Sequence, residues 1–150
     1  MLCVLIADKM RRIKIKKTYT ELIKLKTFND RFNYLMLKGS VGIETFGHAR
    51  HLNQMLYSSR KWKRARDEVI IRDEGCDLGI FDREIFGKIV VHHINPITME
   101  DIENEAYVIF DLENLICTTP RTHNAIHFGD ESLLIKIPEE RTKNDTIPWR

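Results

Sequence analysis

Four of the six histidines lie in the second half of the chain: His92, His93, His123 and His127. His92 and His93 are adjacent at the end of IVVHHI, a β-branched run that predicts a strand. Side chains alternate along a strand, so the two imidazoles point to opposite sides. His123 and His127 are four apart in RTHNAIH, a segment that predicts a helix and sets both on one face. Two helical imidazoles at that spacing can ligate one divalent ion if a third ligand arrives from a strand. Only one of the adjacent pair turns easily toward that ion, and the other is left for proton chemistry. The reading assigns His92, His123 and His127 to the metal and His93 to general base. Three protein ligands leave open positions for a phosphate oxygen and water. A neutral His93, with an ordinary pKa near ~6.5, takes a proton from attacking water around neutral pH. Asn114 opens the next predicted strand, where its amide can brace the inter-strand loop and orient His93.

Taken singly these residues say little. A lone histidine is usually a surface or satisfied core residue, and an asparagine before a strand is usually a turn residue. The joint order of a strand HH, an Asn at the next strand and a helical HxxxH is what singles them out.

That order resembles the HNH, or ββα-metal, nucleases. VVHHINP is similar to the family's V-D/H-H-I-x-P, ENLIC to its N-L-x-x-L/C stretch, and THNAIHFGD to its C-H-N-x-x-H/K end. The resemblance implies an α+β fold in which two short antiparallel strands and one helix enclose a single divalent ion. It implies His93 as general base, His92 and His123 as metal ligands and Asn114 as the middle asparagine. His127 corresponds to the further helical ligand of the colicin-type nucleases, which also carry HH and HxxxH. Upstream, YSSRKWKRARDEVIIRDEGC resembles the segment that precedes the motif in many bacteriophage HNH proteins. TYTELIKLKTFNDRFNYLMLKGSVGIETFG resembles the leading segment of a phage subset. Two departures stand out. The family's paired C-x-x-C motifs read here Cys76-Asp77-Leu78-Gly79 and Thr119-Pro120-Arg121-Thr122, so no structural zinc is expected and Cys76 and Cys117 are expected to be buried thiols. The position of His92 is Asp in many relatives. Three imidazoles suit zinc, nickel or another transition ion, whereas an Asp favours magnesium or manganese.

The elements that must position these residues can be read from caps and periodicity. Thr20 is expected to cap a short helix to about Leu25. Thr27, with Asp30 three residues on, is expected to start a second helix stopped by Gly39, with Phe28, Phe32, Leu35 and Met36 at core spacing. Residues 40–57, with Gly42 and Gly47, read as a loop holding about one turn of helix. Ser58 or Ser59 can cap RKWKRARDEVIIRDE, ended by Gly75, with Trp62, Ala65 and Val69 on one stripe. Thr98 begins a short acidic helix after Pro96. LICTT reads as the second strand, through Thr119, and Pro120 opens the histidine helix, which Gly129 stops. The expected organisation is a basic arm over 1–19, a helical extension over 20–75, an HNH core over 76–130 and a packed tail over 131–150.

Bulk composition is that of a globular chain: 150 residues, 43% hydrophobic and 31% charged, net charge +2. Lys9 to Lys26 hold eight basic residues and one acid, whereas Met99 to Glu113 hold six acids and no base. The second basic cluster, Arg60, Lys61, Lys63, Arg64 and Arg66, is the first candidate for a DNA backbone track, and Arg121 can reach the scissile phosphate. Nothing reads as a base-specific recognition helix. Three scattered cysteines form no disulfide framework, which favours a reducing compartment. The opening MLCVLIA is too short for a leader or a membrane span, so no membrane partner is expected. It reads equally as an added strand, a frayed end or residues upstream of the natural start. The expected function is that of a metal-dependent DNA endonuclease or nickase in the bacterial cytoplasm, with a phage terminase or packaging protein as further partner. An inactive DNA-binding module and an unrelated histidine-metal hydrolase are the competing readings.

Overall fold

The computed structural model of the chain describes residues 17–37 and 50–134. The expected stop at Gly39, the glycines of the 40–49 loop, most of the basic arm and the tail after Leu134 lie outside those residues. The described chain is α+β. In order it forms helices α1 (Tyr19–Leu22), α2 (Phe28–Leu35), α3 (Arg50–Ser58) and α4 (Arg60–Arg72), then strands β1 (Cys76–Asp77), β2 (Arg83–Glu84) and β3 (Val90–His93). Helix α5 (Met99–Glu103), strand β4 (Leu115–Thr118) and helix α6 (Pro120–Phe128) follow. Strands β1 and β2 pair antiparallel, as do β3 and β4.

The β3–β4 hairpin is buried on both faces. Its register sets His92 opposite Ile116 and His93 opposite Leu115. His92, Ile94 and Ile116 therefore share one face, where Ile94 and Ile116 join Ile126 of α6, Leu22, Leu35 and Leu78 in one apolar cluster. Val91, Leu115 and Cys117 share the other, in a cluster with Trp62, Ala65 and Val69 of α4. The hairpin is thus sandwiched between the histidine helix and the basic helix, which explains why its strands read as continuous apolar runs rather than alternating ones. The 20–75 and 76–130 segments share these cores.

Among the described residues no third strand pairs with the outer edge of β4, and side chains take its place. Successive inward and outward peptide groups alternate along an antiparallel strand, so Leu115, Cys117 and Thr119 present theirs to the free edge. Arg72 donates to the Leu115 carbonyl at 2.6 Å and to the Leu112 carbonyl at 2.6 Å. Asp73 Oδ2 accepts from the Cys117 N–H at 2.8 Å, and Asp77 Oδ2 accepts from the Thr119 N–H at 2.9 Å. Asp73 also accepts from Arg72 Nε at 2.7 Å, and the Arg72 guanidinium lies over the Tyr19 ring.

Most helix starts fall where the sequence places them. Thr27 caps α2, Ser59 caps α4, Thr98 forms a capping box with Asp101, and Pro120 takes the first position of α6. Gly129 ends α6 in the left-handed region at φ 65°. The differences have physical causes. Thr18, not Thr20, caps α1, because Thr20 is drawn outward to Glu113, whose carboxylate accepts from both its N–H and its hydroxyl. Helix α2 stops at Leu35, where the chain extends and the Leu37 N–H pairs with the Ile126 carbonyl of α6 at 3.0 Å. Residues 50–58 are a full helix rather than one turn in a loop, because Leu52 and Leu56 bury against α4. Helix α4 ends at Arg72, three residues before Gly75, which frees Asp73 for the β4 edge. β4 ends at Thr118 because Thr119 serves as a cap. Lys17, at the end of the basic arm, is tied to the fold by Asn95, which accepts from its N–H at 3.0 Å and donates to its carbonyl at 2.7 Å. Cys117 is buried as expected, whereas Cys76 is half-buried because β1 lies at the rim. Among the described residues no helix is long and apolar enough to cross a membrane.

Candidate metal centre and catalytic histidine

The two-faced hairpin separates His92 from His93. His92 is 2% exposed and turns toward α6. Its ring centroid lies 5.3 Å from that of His123 and 5.1 Å from that of His127, and the two helical rings are 4.3 Å apart. One nitrogen from each ring can be chosen so that all three lie within 4.8 Å of one another. Ligands of a tetrahedral zinc at ~2.0 Å stand about 3.3 Å apart, a spacing that modest ring rotation reaches. The three side chains can therefore hold one metal ion.

Two observations test that fit. His92 Nε2 is buried with no hydrogen-bond partner. A buried polar atom in that state costs about 1–3 kcal/mol unless something binds it, and a cation shared with His123 and His127 would supply the missing partner. The donors are also in the right protonation state. Burial, then the neighbouring rings, holds His92 well below the ordinary histidine value, and burial followed by His123 brings His127 down to about 4. Burial lowers His123 as well, against a weak contact with Asn124. Neutral imidazoles present the lone pairs that metal ligation needs.

His93 occupies the opposite face. Its ring stacks on Trp62 of α4, with centroids 5.3 Å apart. Its Nε2 lies 3.0 Å from the Ile109 carbonyl. A carbonyl only accepts, so Nε2 carries the proton of the neutral ring and Nδ1 keeps the lone pair. Burial pulls this histidine down to about 4, opposed by the Ile109 bond. His93 is thus a neutral imidazole with its tautomer set, and it holds a proton less readily than the ordinary histidine value expected from the sequence.

Asn114 is wholly buried in the turn before β4. Its Oδ1 accepts from the Asn95 N–H at 2.8 Å and from Asn95 Nδ2 at 2.7 Å. Its Nδ2 donates to the Val108 carbonyl at 3.0 Å and the Asn95 carbonyl at 3.4 Å. Asn114 therefore clamps both ends of the inter-strand loop, one residue from the Ile109 carbonyl that receives His93. These four side-chain hydrogen bonds go to Asn95 and Val108, not to His93.

The basic residues are less uniform than their clustering in sequence suggests. Arg60 and Lys63 are exposed on α4. Lys61 lies over the Phe110 ring at 4.2 Å and within 3.8 Å of Glu105. Arg64 pairs with Glu68 at 3.0 Å, and the half-buried Arg66 with Asp67 at 3.6 Å. Arg121 is exposed in the first turn of α6, two residues before His123. Helix α4 is joined to the His93 face of the hairpin through Trp62. Four contributors escaped the sequence reading: Trp62 as the wall of His93, Asn95 as the partner of Asn114, the Ile109 carbonyl, and the Arg72–Asp73–Asp77 edge. Asp73 lies in the turn after α4 and Asp77 in the two-residue strand β1, positions that carry no periodic signal.

Comparison of the chain with family models, with curated proteins and with solved structures found no match in any of the three.

Proposed function

We propose that this protein is a metal-dependent DNA endonuclease or nickase of the HNH type, with a ββα-metal core formed by β3, β4 and α6. The carrying observation is the split between two adjacent histidines. His92 joins a three-imidazole cluster, while His93 turns away with its Nε2 proton held by a backbone carbonyl.

In this reading His92, His123 and His127 hold one divalent ion, which when bound polarises the scissile phosphate and stabilises the departing oxyanion. His93 Nδ1 accepts the proton of the attacking water. The Ile109 carbonyl keeps the ring in that tautomer and stabilises the imidazolium formed on proton transfer. Trp62 blocks one ring face and limits rotation. Asn114 keeps the Ile109 carbonyl in place by bracing Val108. Arg60 and Lys63 meet the phosphate backbone, and Arg121 lies near the cleaved phosphate. Three neutral nitrogen donors favour zinc, nickel or a similar ion over magnesium. The resemblance to phage HNH proteins supports a role in bacteriophage DNA processing or packaging, beside a terminase or packaging protein.

The test is nicking of supercoiled plasmid by wild type and His93→Ala with magnesium, manganese, nickel or zinc, and with a chelator control. Nicking by wild type, abolished by chelator and reduced at least about 100-fold by His93→Ala, is the expected result. DNA retention without nicking in any metal would replace this reading with that of a binding module.

A further inference from the structure

The proposed metal centre draws two ligands from one helix, and the first turn of that helix is anchored from outside the hairpin. Asp77 is wholly buried. Its Oδ1 accepts from the Gly79 N–H at 3.0 Å and its Oδ2 from the Thr119 N–H at 2.9 Å. Thr119 is the cap of α6. Its hydroxyl accepts from the Thr122 N–H, and its carbonyl accepts from the His123 N–H at 2.9 Å. The carboxylate of Asp77 therefore connects, through one residue, to the backbone that carries His123.

Packing reinforces the same joint. Gly79 sits against α6 so closely that a Cβ there would lie 2.5 Å from Thr122 Cγ2, 3.2 Å from Asp77 Oδ1 and 3.5 Å from Ile126 Cδ1. Thr122 is itself fully buried. The turn after β1 and the first turn of α6 are thus held together by one buried carboxylate and one close backbone approach. No other described side chain accepts from the Thr119 N–H.

We infer that Asp77 is a positioning residue of the metal centre, setting the start of α6 so that His123 and His127 meet His92. Asp73 supplies the contrast. It makes the neighbouring bond of the same strand edge, to Cys117 at 2.8 Å, but reaches a residue of β4 that carries no ligand. Loss of either carboxylate removes a buried acceptor and lowers stability. Only loss of Asp77 releases the helix that bears two of the three imidazoles.

This inference rests on the metal-centre reading, and zinc affinity separates the two. The full chain, its Asp77→Asn variant and its Asp73→Asn variant are titrated with zinc well below their melting temperatures, with far-UV circular dichroism as a check on folding. Asp77→Asn is expected to bind zinc about 10- to 100-fold more weakly, the usual scale for residues that orient ligands. Asp73→Asn is expected to lose a similar increment of melting temperature and to stay within about twofold of wild-type affinity. A second pair approaches the joint through packing and covers failure of Asp77→Asn to fold. Gly79→Ala is expected to weaken zinc binding, and adding Thr122→Ser, which removes the clashing Cγ2 but leaves the 3.2 Å approach to Asp77 Oδ1, is expected to restore part of it. Wild-type affinity in Asp77→Asn, or equal losses in Asp77→Asn and Asp73→Asn, overturns the inference. So does failure of Thr122→Ser to rescue Gly79→Ala. Absence of stoichiometric zinc binding by wild type overturns the metal-centre reading itself, and the inference with it.

Discussion

The rings of Trp62 and His93 stack with centroids 5.3 Å apart and planes 27° from parallel, which joins the basic helix directly to the proposed base. Tyr57 packs edge-on to Trp62, with ring centroids 5.2 Å apart. The imidazole thus has an aromatic wall on one face and a carbonyl at one nitrogen.

Replacing that wall should affect catalysis more than folding when the replacement is aromatic. Trp62→Phe is expected to fold and to lose roughly tenfold in nicking rate, as a ring free to rock spends less time aligned. Trp62→Ala is expected to cost about 3–5 kcal/mol of stability, because a 5% exposed indole leaves a cavity. Chemical denaturation read beside single-turnover nicking checks both. A wild-type rate in Trp62→Phe would show that the stack contributes only packing.

Asn114 makes four hydrogen bonds from a wholly buried amide. Asn114→Ala strands the Asn95 donors and the Val108 carbonyl, and a loss of about 2–4 kcal/mol is expected. Nitrogen NMR of the imidazoles should show His93 as the Nε2–H tautomer in wild type and a mixture of tautomers in the variant. An unchanged tautomer would sever the proposed link from Asn114 through the loop to His93.

The histidine shifts fix the sign of the pH dependence. His93 and His127 are held down to about 4 by burial, and His92 lies lower than its ordinary value for the same reason. In the unfolded chain these groups take up protons near pH ~6.5, well before they do in the folded one. Stability of the metal-free protein is therefore full above about pH 6.5 and falls as pH drops from there toward about 4. Zinc affinity should stay nearly flat from pH 8 to about 6 and drop steeply below about 5, as protons compete for the donors. Denaturation and zinc titrations at matched pH check this. A fall in stability confined to alkaline pH would contradict it.

Charge on α4 should act unequally. Arg60→Ala and Lys63→Ala remove exposed cations with no ion pair among the described residues, and each is expected to lower the salt slope of DNA binding by about 0.9 if it contacts duplex phosphate. Arg64→Ala and Arg66→Ala, whose cations lie beside Glu68 and Asp67, are expected to change it less. Equal slopes for all four variants and wild type would move the DNA track elsewhere.

Much of the site was legible because it depends on two periodicities. Adjacent strand residues diverge and helical residues four apart converge, so His92 separates from His93 and joins His123 and His127 without knowledge of the rest. Caps such as Thr27, Ser59 and Thr98 were equally plain, because each satisfies N–H groups a few residues away, whereas Thr119 read as the end of a strand. Long-range partners were not. Nothing local to Asn114 names Asn95, and a stripe containing Trp62 shows that it is buried but not what it faces. Helix α3 was obscured by Gly42 and Gly47, although its own residues hold neither Gly nor Pro and place Leu52 and Leu56 at helical spacing. Thr20 looked like a cap until Glu113, 93 residues away, competed for it.

The guanidinium and carboxylates along β4 have a last consequence. A two-stranded hairpin normally exposes a row of unpaired peptide groups that another chain can extend into a larger sheet. Here Arg72 covers the Leu115 carbonyl, Asp73 the Cys117 N–H and Asp77 the Thr119 N–H. An incoming strand would have to displace three buried or half-buried charged groups to pair there. The same contacts that hold the hairpin in register thus guard it against aggregation along that edge.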